Sequence, residues 1–175
     1  MRKANLSSLR LDLLRHGETE WSLAGQSAGR TDLPLTPRGE AAAREVGVRL
    51  QNVSFTHVLT SPLQRAQQTC ALVGLGPAAE IEPGLVEWGH GDYEGRTPAE
   101  IRKTDPRWTL FRDGAPHGET QAQVSTPVER LIARLRTFDN NVALFSHGHL
   151  FRVLGARWMG LSVGQPEGLL FVTHA

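Results

Sequence analysis

An arginine and a histidine directly follow a short apolar run near the start of the chain, in the sequence Arg15-His16-Gly17. The guanidinium group is a planar fork of N–H donors that suits an anion, and a neutral imidazole acts as a nucleophile or as a hydrogen-bond donor. The same three residue types also occur in ordinary exposed loops. Their meaning therefore depends on what the rest of the chain places beside them.

Similar side chains follow two later apolar runs. Arg65 comes shortly after the second run, and His147 comes shortly after the fourth. If these runs are neighbouring parallel strands, their carboxyl ends meet at one edge of a sheet, where α/β proteins bind ligands. We therefore expect Arg65 and His147 to lie close to Arg15 and His16. A glycine-rich acidic loop adds the carboxyl group of Glu87.

This set of side chains suits phosphoryl transfer. The two arginines grip a phosphate by charge-assisted hydrogen bonds, and His147 and the backbone N–H groups after Gly148 add further donors. His16 attacks phosphorus in line. A protonated Glu87 gives its proton to the leaving oxygen and then serves as the base for the attacking water. The chemistry needs positioning and charge neutralisation, which these residues supply without a metal.

A metal site is the main chemical alternative for these residues. Two histidines and a carboxylate would suit Zn²⁺ or Fe²⁺. Two guanidinium groups in the same pocket would repel a cation, however. Apart from His147-Gly148-His149, the spacing also differs from the H-E-x-x-H and H-x-H patterns of metal ligands. We therefore expect neither a metal nor another cofactor.

Strands alternate with helices along the chain, which is the pattern of an α/β protein. The apolar runs predict five strands, at Leu9–Leu14, Phe55–Thr60, Ala79–Glu82, Asn141–Phe145 and Gly168–Thr173. Helices are predicted after Thr36 as far as Leu50, after Ser61 as far as Gly74, from Thr97, from Asp105-Pro106, over Thr120–Phe138 and over Leu150–Met159. We expect a three-layer α/β/α sandwich with a mostly parallel central sheet.

Local sequence signals define several of these boundaries. Thr36-Pro37 is typical of a helix N-terminus, and Ser61-x-x-Gln64 predicts a capping box. Pro127 is expected to kink its helix or to split it in two. The segment 21–34 is rich in glycine, serine and aspartate and is predicted to be a loop.

The composition is that of an ordinary soluble domain. The 175 residues fit a single domain, 1–175, and 39% of them are hydrophobic. A formal net charge of +1 gives no strong field to attract nucleic acid or an anionic membrane, so we expect neither as a partner. The residues suited to phosphoryl transfer point instead to a small phosphorylated metabolite. Cys70 is the only cysteine, and charged residues interrupt the apolar segment after the basic start, which favours a cytoplasmic protein. No sequence feature indicates an oligomeric state.

Three segments together resemble the signatures of the histidine phosphatase superfamily, the phosphoglycerate mutase-like group. They are Leu14-Arg15-His16-Gly17-Glu18-Thr19, Ser61-Pro62-Leu63-Gln64-Arg65-Ala66-Gln67-Gln68-Thr69 and Ser146-His147-Gly148-His149. Their order and spacing match over nearly the whole chain, and the three together are far more specific than any one alone. The segments 25–36, 87–95 and 111–114 are similar to a small phosphatase branch that contains fungal sedoheptulose-bisphosphatase-like enzymes and actinobacterial acid phosphatases.

The resemblance implies that His16 is a phosphorylated nucleophile and that Glu87 is the proton donor. It also implies that Arg15, Arg65 and His147 bind the phosphate. Further residues are expected on the substrate side of the pocket: Ser22, Gln26, Ala28, Gly29, His90, Gly148 and His149. The implied activity is metal-independent hydrolysis of phosphomonoesters, either of sugar phosphates or of a broad range of substrates.

Three of these pocket residues depart from the family pattern. Ala28 replaces the usual threonine, Ser22 replaces the asparagine of the mutases, and His90 stands where tyrosine is common. We expect these side chains to set the substrate preference. Chains of this family also continue for a few tens of residues past the position of Ala175, so the resemblance implies that a C-terminal segment is missing here.

Two other functions fit parts of the sequence. A cofactor-dependent phosphoglycerate mutase would share the nucleophile. Mutases, however, carry Glu-Arg-x-Tyr-Gly and further basic residues where this chain has Glu87-Trp88-Gly89-His90-Gly91, which favours water as the phosphoryl acceptor. A non-catalytic module that binds a phosphorylated ligand would explain the arginines, although it would need neither His16 nor Glu87.

Overall fold

A four-stranded sheet forms the centre of the molecule in the computed structural model, which describes residues 9–164. Its strands are β1 Arg10–Arg15, β2 His57–Thr60, β3 Ala79–Ile81 and β4 Asn141–Ser146. All strand pairs are parallel, and the spatial order is β1-β4-β2-β3. Four of the predicted strands are therefore confirmed. The fifth, at 168–173, lies outside the described residues.

Within the range 9–164, seven α-helices connect and flank these strands. They are α1 Glu20–Leu23, α2 Pro37–Leu50, α3 Gln64–Val73, α4 Pro98–Ile101, α5 Leu110–Asp113, α6 Gln121–Leu135 and α7 Gly148–Trp158. Short 3₁₀ turns at Pro83–Leu85 and Gly91–Tyr93 shape the glycine-rich loop after β3. None of these helices is long and apolar enough to cross a membrane.

Alternate residues of β4 point to opposite faces of the sheet and enter two separate apolar cores. Val142 and Leu144 pack with side chains of α6 and α7, while Ala143 and Phe145 pack with side chains of α2 and α3. Helices therefore cover both faces of a parallel sheet, and the predicted three-layer sandwich is confirmed. Cys70 belongs to the second core, where burial raises the pKa of its thiol to about 12 and keeps it unreactive.

The register of the sheet aligns the carboxyl ends of three strands. Arg15 of β1 lies opposite Ser146 of β4, and Thr60 of β2 lies opposite Phe145 of the same strand. The segments that follow β1, β2 and β4 therefore leave the sheet at one edge. The convergence expected from the sequence depends on this alignment, because β4 lies between β1 and β2.

The turn after β1 packs directly on the first turn of α2. Thr36 is the N-cap of α2, as predicted: its Oγ1 accepts the Gly39 N–H at 3.0 Å and donates to Glu18 Oε1 at 2.9 Å. Gly39 has no room for a side chain, because a Cβ there would overlap the Glu18 carbonyl oxygen and lie 2.7 Å from Glu18 N. The glycine thus allows the helix to hold the turn that follows His16.

Replacing Gly39 with alanine is expected to lower the free energy of unfolding by about 1–3 kcal/mol, because the added methyl group meets backbone rather than a movable side chain. Helix propensity alone predicts the opposite sign, a gain of about 0.8–1.0 kcal/mol. Urea denaturation measures the change. The variant Ala41→Gly at an exposed site in α2 calibrates the propensity effect, and a stabilised Gly39→Ala protein would contradict the close contact.

Three predictions of local structure are wrong. The predicted loop 21–34 overlaps the short helix α1, because Thr19 and Ser22 form a capping box that starts it. Asp105-Pro106 does not open a helix, and α5 begins only at Leu110. Of the two predicted effects of Pro127, the split is wrong, because α6 continues past the proline, while the kink stays a prediction. The buried apolar face on both sides of this proline compensates for the missing backbone hydrogen bond.

The predicted capping box at Ser61 is also wrong. Helix α3 begins at Gln64, and its N-cap residue, Leu63, has no side chain that can cap. The Gln64 N–H instead donates to Asp32 Oδ1 at 2.8 Å, so a carboxylate from a distant loop takes the place of the local cap. The Ser61 hydroxyl is thereby available for a different partner in the site.

Candidate active site

His16 immediately follows β1 and is held in one tautomer. Its backbone N–H donates to the Ser146 carbonyl at 3.0 Å, and its ring Nδ1 lies 2.7 Å from the Gly17 carbonyl oxygen. A carbonyl only accepts, so Nδ1 carries the proton and Nε2 keeps its lone pair. Burial, together with the charges of Arg65 and Arg15, lowers the pKa of His16 to about 4. The ring is therefore neutral at pH 7, with a nucleophilic Nε2.

Thr69 of α3 fixes the turn after His16. Its hydroxyl oxygen accepts the Gly17 N–H at 3.0 Å and donates its proton to the Arg65 carbonyl at 2.7 Å. On the other side of the turn, a Cβ at Gly17 would lie 2.7 Å from the Gly39 carbonyl oxygen, so only glycine fits between α2 and α3. The position of the His16 ring is thus set by two helices as well as by β1.

Arg65 lies on the first turn of α3 and is almost wholly buried, with 1% of its surface exposed. Three of its N–H groups donate to the protein: Nε to His147 Nδ1 at 3.2 Å, Nη1 to the Thr31 carbonyl at 2.8 Å and Nη2 to the Gly29 carbonyl at 2.9 Å. Burial lowers the pKa of Arg65, but a guanidinium stays charged in proteins. Its remaining two N–H groups are available to an anion.

The two carbonyls that hold Arg65 belong to a loop organised by Glu94. One carboxylate oxygen of Glu94 accepts the backbone N–H groups of Arg30, at 2.8 Å, and of His90, at 3.2 Å. The other accepts both the N–H and the hydroxyl of Thr31. Gly29 has φ +48° and no space for a Cβ beside this carboxylate. The loop is therefore a fixed support for the guanidinium group.

His147 is fully buried between Arg65 and Ser61. Its Nδ1 accepts from Arg65 Nε, so its Nε2 carries the proton and donates it to Ser61 Oγ at 2.8 Å. Burial holds the pKa of His147 well below its usual range, and its ring centre lies 5.2 Å from that of His16. In this arrangement the ring has no N–H left for a phosphate, contrary to the prediction, and its contact with Arg65 orients the guanidinium.

Glu87 is buried against the N-terminus of α7. Its Oε1 accepts the backbone N–H groups of Trp88 at 3.0 Å and Leu150 at 2.8 Å, and its Oε2 accepts that of His149 at 3.2 Å. Burial opposes ionisation, but the hydrogen bond and charge of the His149 ring hold the pKa of Glu87 well below its usual range. In the unliganded site the N–H groups after Gly148 therefore already donate to Glu87, and the role of Glu87 as proton donor stays a prediction.

One open cavity of about 530 Å³ brings the predicted residues together. Arg15, His16, Arg65 and Glu87 line it, while His147 lies behind Arg65. The side chain of the exposed Arg15 lies next to Gly148 at the start of α7. All seven residues predicted on the substrate side also line the cavity: Ser22, Gln26, Ala28, Gly29, His90, Gly148 and His149.

The polar side chains of two of these seven residues form hydrogen bonds to the protein backbone. The Ser22 hydroxyl accepts the Thr19 N–H at 2.8 Å and donates to the Thr19 carbonyl at 3.0 Å. The Gln26 side chain donates to the Gly95 carbonyl at 2.7 Å. Both residues therefore shape the wall of the cavity and hold its loops together.

His90 and His149, which both line the cavity, form an edge-to-face pair with ring centres 4.9 Å apart. Burial and the charge of His149 lower the pKa of His90 to about 4, so its ring is neutral at pH 7. Neither ring nitrogen of His90 has a hydrogen-bond partner among residues 9–164. His149 Nδ1 lies 3.5 Å from Glu87 Oε2.

Sequence reasoning missed four residues at this site: Ser61, Thr69, Arg102 and Arg152. A signal existed for two of them. Thr69 lies one turn after Arg65 on the same face of α3, and Arg152 lies three residues after His149 on α7. Ser61 begins the second signature-like segment but is predicted there only as a helix cap. No local pattern indicates Arg102, because packing between distant segments brings it to the site.

A neutral nucleophilic histidine, two guanidinium groups and a buried carboxylate share one cavity at the carboxyl edge of a parallel sheet. A site of this composition in an α/β protein is suited to bind a phosphoryl group. The comparison of the sequence with protein families agrees, because the family described as the histidine phosphatase superfamily (branch 1) matches residues 11–174. The chain belongs to that superfamily.

Relatives with phosphatase names cover most of the chain. Sedoheptulose 1,7-bisphosphatase of Saccharomyces cerevisiae is 37% identical over 184 residues, which cover 86% of this chain and 68% of that protein. An acid phosphatase of Mycobacterium tuberculosis is 38% identical over 160 residues, covering 89% and 78%. The solved structure of open reading frame Rv3214 from M. tuberculosis has a TM-score of 0.87 and 34% identity, covering 95% of this chain and 88% of its own. The resemblance inferred from the motifs is confirmed.

Proposed function

We propose that this protein is a metal-independent phosphatase that hydrolyses phosphomonoesters through a phosphohistidine intermediate on His16. The observation that carries the proposal is the state of His16: the ring is neutral, the Gly17 carbonyl holds its Nδ1–H, and Nε2 is unprotonated in a cavity that Arg15 and Arg65 also line. Phosphoryl transfer requires mainly positioning and charge neutralisation, and both are available here. The phosphatase names of the relatives support this class of reaction.

In the first step the phosphoryl group lies between the guanidinium groups of Arg15 and Arg65. Nε2 of His16 attacks phosphorus in line, so a P–N bond forms while the bond from phosphorus to the leaving oxygen breaks. Glu87 gives a proton to that oxygen, which departs as an alcohol. Neutralisation of the equatorial oxygens by the two arginines stabilises the transition state.

In the second step a water molecule replaces the alcohol. Glu87 is now ionised and takes a proton from the water as its oxygen attacks phosphorus. The P–N bond breaks, inorganic phosphate leaves, and His16 returns to its neutral form. The Nδ1–H bond to the Gly17 carbonyl persists throughout and keeps Nε2 directed to the same place.

The proton that Glu87 gives to the leaving group is supplied by the substrate. Glu87 is ionised before substrate binds, since its pKa lies well below its usual range. A phosphomonoester monoanion still carries a proton, because its second pKa is about 6. When this group enters the cavity, two negative charges would face each other if both acids were ionised, so the pKa of Glu87 rises and the carboxylate accepts the proton.

The pH dependence of kcat/KM follows from these two ionisations. Activity on an alkyl phosphate should fall below about pH 4, because protonation of His16 removes the nucleophile. It should also fall above pH ~6, because the substrate monoanion that carries the proton disappears. Steady-state assays from about pH 3 to about pH 9 cover both ionisations and therefore measure both limbs of the profile. A flat profile through the alkaline range would contradict the proposed source of the proton.

An aryl phosphate provides the matched control for this profile. Its phosphate is more acidic than that of an alkyl phosphate, so the alkaline limb should move to lower pH while the acid limb stays in place. Assays in a chelator test the absence of a metal from the mechanism, and loss of activity there would contradict it. Conversion of 3-phosphoglycerate to its isomer, in place of phosphate release, would show a mutase.

A further inference from the structure

Two short segments near the cavity carry separate parts of the proposed reaction. The cradle segment, residues 29–31, supplies the two carbonyl oxygens that hold Arg65. The donor segment, residues 87–90, begins with the proton donor, Glu87. In the described part of the chain, no backbone hydrogen bond joins these two segments to each other. Side chains must therefore help to fix their relative position.

Glu94 forms one of two bridges between the segments. Its Oε1 accepts the Arg30 backbone N–H at 2.8 Å and that of His90 at 3.2 Å. Its Oε2 accepts the Thr31 backbone N–H at 2.8 Å and also the Thr31 hydroxyl. Three of these four bonds go to the cradle segment, and one goes to the donor segment. Glu94 is therefore placed to act mainly on the support of Arg65.

Glu119, which lies just before the start of α6, forms the second bridge. Its Oε1 accepts from the Arg30 guanidinium at 2.6 Å, and its Oε2 accepts the Gly89 backbone N–H at 2.6 Å. Its backbone carbonyl accepts the Trp88 indole N–H at 2.8 Å, and its backbone N–H donates to the Gly89 carbonyl at 2.9 Å. Three of these four bonds reach the two residues that directly follow Glu87.

Neither bridging carboxylate is in contact with the reacting groups. Glu94 and Glu119 are absent from the residues that line the cavity. Trp88, however, is fully buried, and its backbone N–H donates to Glu87 Oε1 at 3.0 Å. A shift of Trp88 and Gly89 would therefore move the Glu87 carboxylate. The reaction tolerates little movement, because a misplacement of about 1 Å can cost about 10²-fold in rate.

We infer that Glu94 and Glu119 are positioning residues, which hold the proton donor Glu87 at a fixed position relative to the phosphate bound by Arg65. The inference rests on the proposed phosphatase function and adds two residues outside the cavity to its machinery. Glu94 acts through the carbonyl groups that orient Arg65. Glu119 acts through the residues that follow Glu87. Loss of each carboxylate should therefore change a different measured quantity.

Glu119→Gln is expected to slow transfer from a poor leaving group selectively. Its amide oxygen accepts from either Arg30 or Gly89, while its NH₂ group faces the other donor, so one end of the bridge is lost. The ratio of kcat/KM for glycerol 3-phosphate to that for p-nitrophenyl phosphate should fall about tenfold or more, because only the alkyl leaving group depends strongly on the proton of Glu87. A smaller fraction of folded protein would lower both values equally. An unchanged ratio would overturn the inference.

Arg30 offers a second variant at the exposed end of this bridge. Arg30→Met removes the guanidinium but leaves the bond between Glu119 and Gly89, so the same ratio should fall by a smaller factor. Arg30→Lys keeps the charge and should restore much of the ratio. In the double variant with Glu119→Gln, the fall should be smaller than the product of the two single effects, because both changes interrupt one bridge. Two fully independent effects would contradict the bridge.

Glu94→Gln is expected to weaken phosphate binding. The carbonyl groups of Gly29 and Thr31 lose their support, so Arg65 is held less precisely and the Kd for inorganic phosphate should rise about tenfold. The value of kcat/KM should fall by a similar factor for both the alkyl and the aryl substrate. Glu129→Gln removes the partner of another arginine, on α6, and should leave the phosphate affinity and the substrate ratio unchanged.

The calorimetric titration with inorganic phosphate separates this inference from the proposed function. If the wild-type protein binds phosphate but hydrolyses neither substrate, the phosphatase proposal fails, while the affinity of Glu94→Gln still tests the positioning role. Unchanged phosphate affinity in this variant would overturn the inference. If the wild type is active and the Glu119→Gln ratio is unchanged, the inference fails and the proposed function stands. A protein that neither binds nor hydrolyses phosphate esters would overturn both.

Discussion

Replacement of His16 by alanine is expected to lower kcat for phosphomonoester hydrolysis by about 10⁴-fold or more, because no other group in the cavity replaces its Nε2 as the nucleophile. The other histidines that line the cavity, His90 and His149, pack edge to face against each other. The variant should fold, since the ring of His16 hydrogen-bonds only to the adjacent Gly17 carbonyl. Its binding of inorganic phosphate should persist through Arg15 and Arg65.

Trapping of the intermediate makes this test specific. Rapid quenching of the wild type with a radiolabelled substrate should leave label on the protein as an acid-labile phosphoramidate, and His16→Ala should show none. The control His57→Ala removes an exposed histidine that stacks on Phe138, far along β2 from the cavity, and should keep both activity and label. Substantial turnover by His16→Ala would refute the proposed mechanism.

Replacement of Glu87 by glutamine is expected to slow hydrolysis of an alkyl phosphate by about 10²–10⁴-fold, the usual contribution of general acid–base catalysis. A p-nitrophenyl ester needs little protonation of its leaving group, so its first step should be slowed much less. Its second step still needs a base to activate water. The variant should therefore release a burst of p-nitrophenol and then accumulate the phosphoenzyme.

The same change should weaken the start of α7. The amide of glutamine accepts at one atom only, so either the His149 or the Leu150 N–H loses its acceptor, at a cost of about 1–2 kcal/mol in the free energy of unfolding. Stopped-flow assays and urea denaturation measure the two effects separately. Glu40→Gln, at an exposed ion pair on α2, is the control. Equal slowing of alkyl and aryl substrates, without a burst, would show that Glu87 is not the proton donor.

Regular patterns made most of the fold predictable. The four described strands and the helices α2, α3, α6 and α7 follow from apolar runs and their spacing, because a buried face repeats along the sequence. The capping predictions succeeded where the cap is local, as at Thr36, and failed at Ser61. There, the start of α3 is satisfied by Asp32, and no signal in the neighbouring residues indicates a partner from a distant loop.

The members of the site were easier to predict than their states. Motifs indicate that Arg15, His16, Arg65 and Glu87 share a cavity, and the structure brings them together. The protonation of Glu87 depends on its burial and on the ring of His149, which belongs to the distant helix α7. The tautomer of His147 likewise depends on Ser61, from a different strand end. Protonation and tautomer states of this kind depend on contacts between distant segments, which the residues next to each group in the sequence do not reveal.

The order of the strands has a consequence for how the molecule forms during synthesis. His16 follows β1, the first of the described strands to leave the ribosome, but among these strands β1 pairs only with β4, which is the last of them to emerge. During synthesis, β1 therefore cannot pair with β4 until most of the domain has been translated. Closure of this long-range pairing is a slow event in folding, since it fixes a large loop. A partly synthesised chain thus carries the proposed nucleophile before the residues that follow β2 and β4 have joined it.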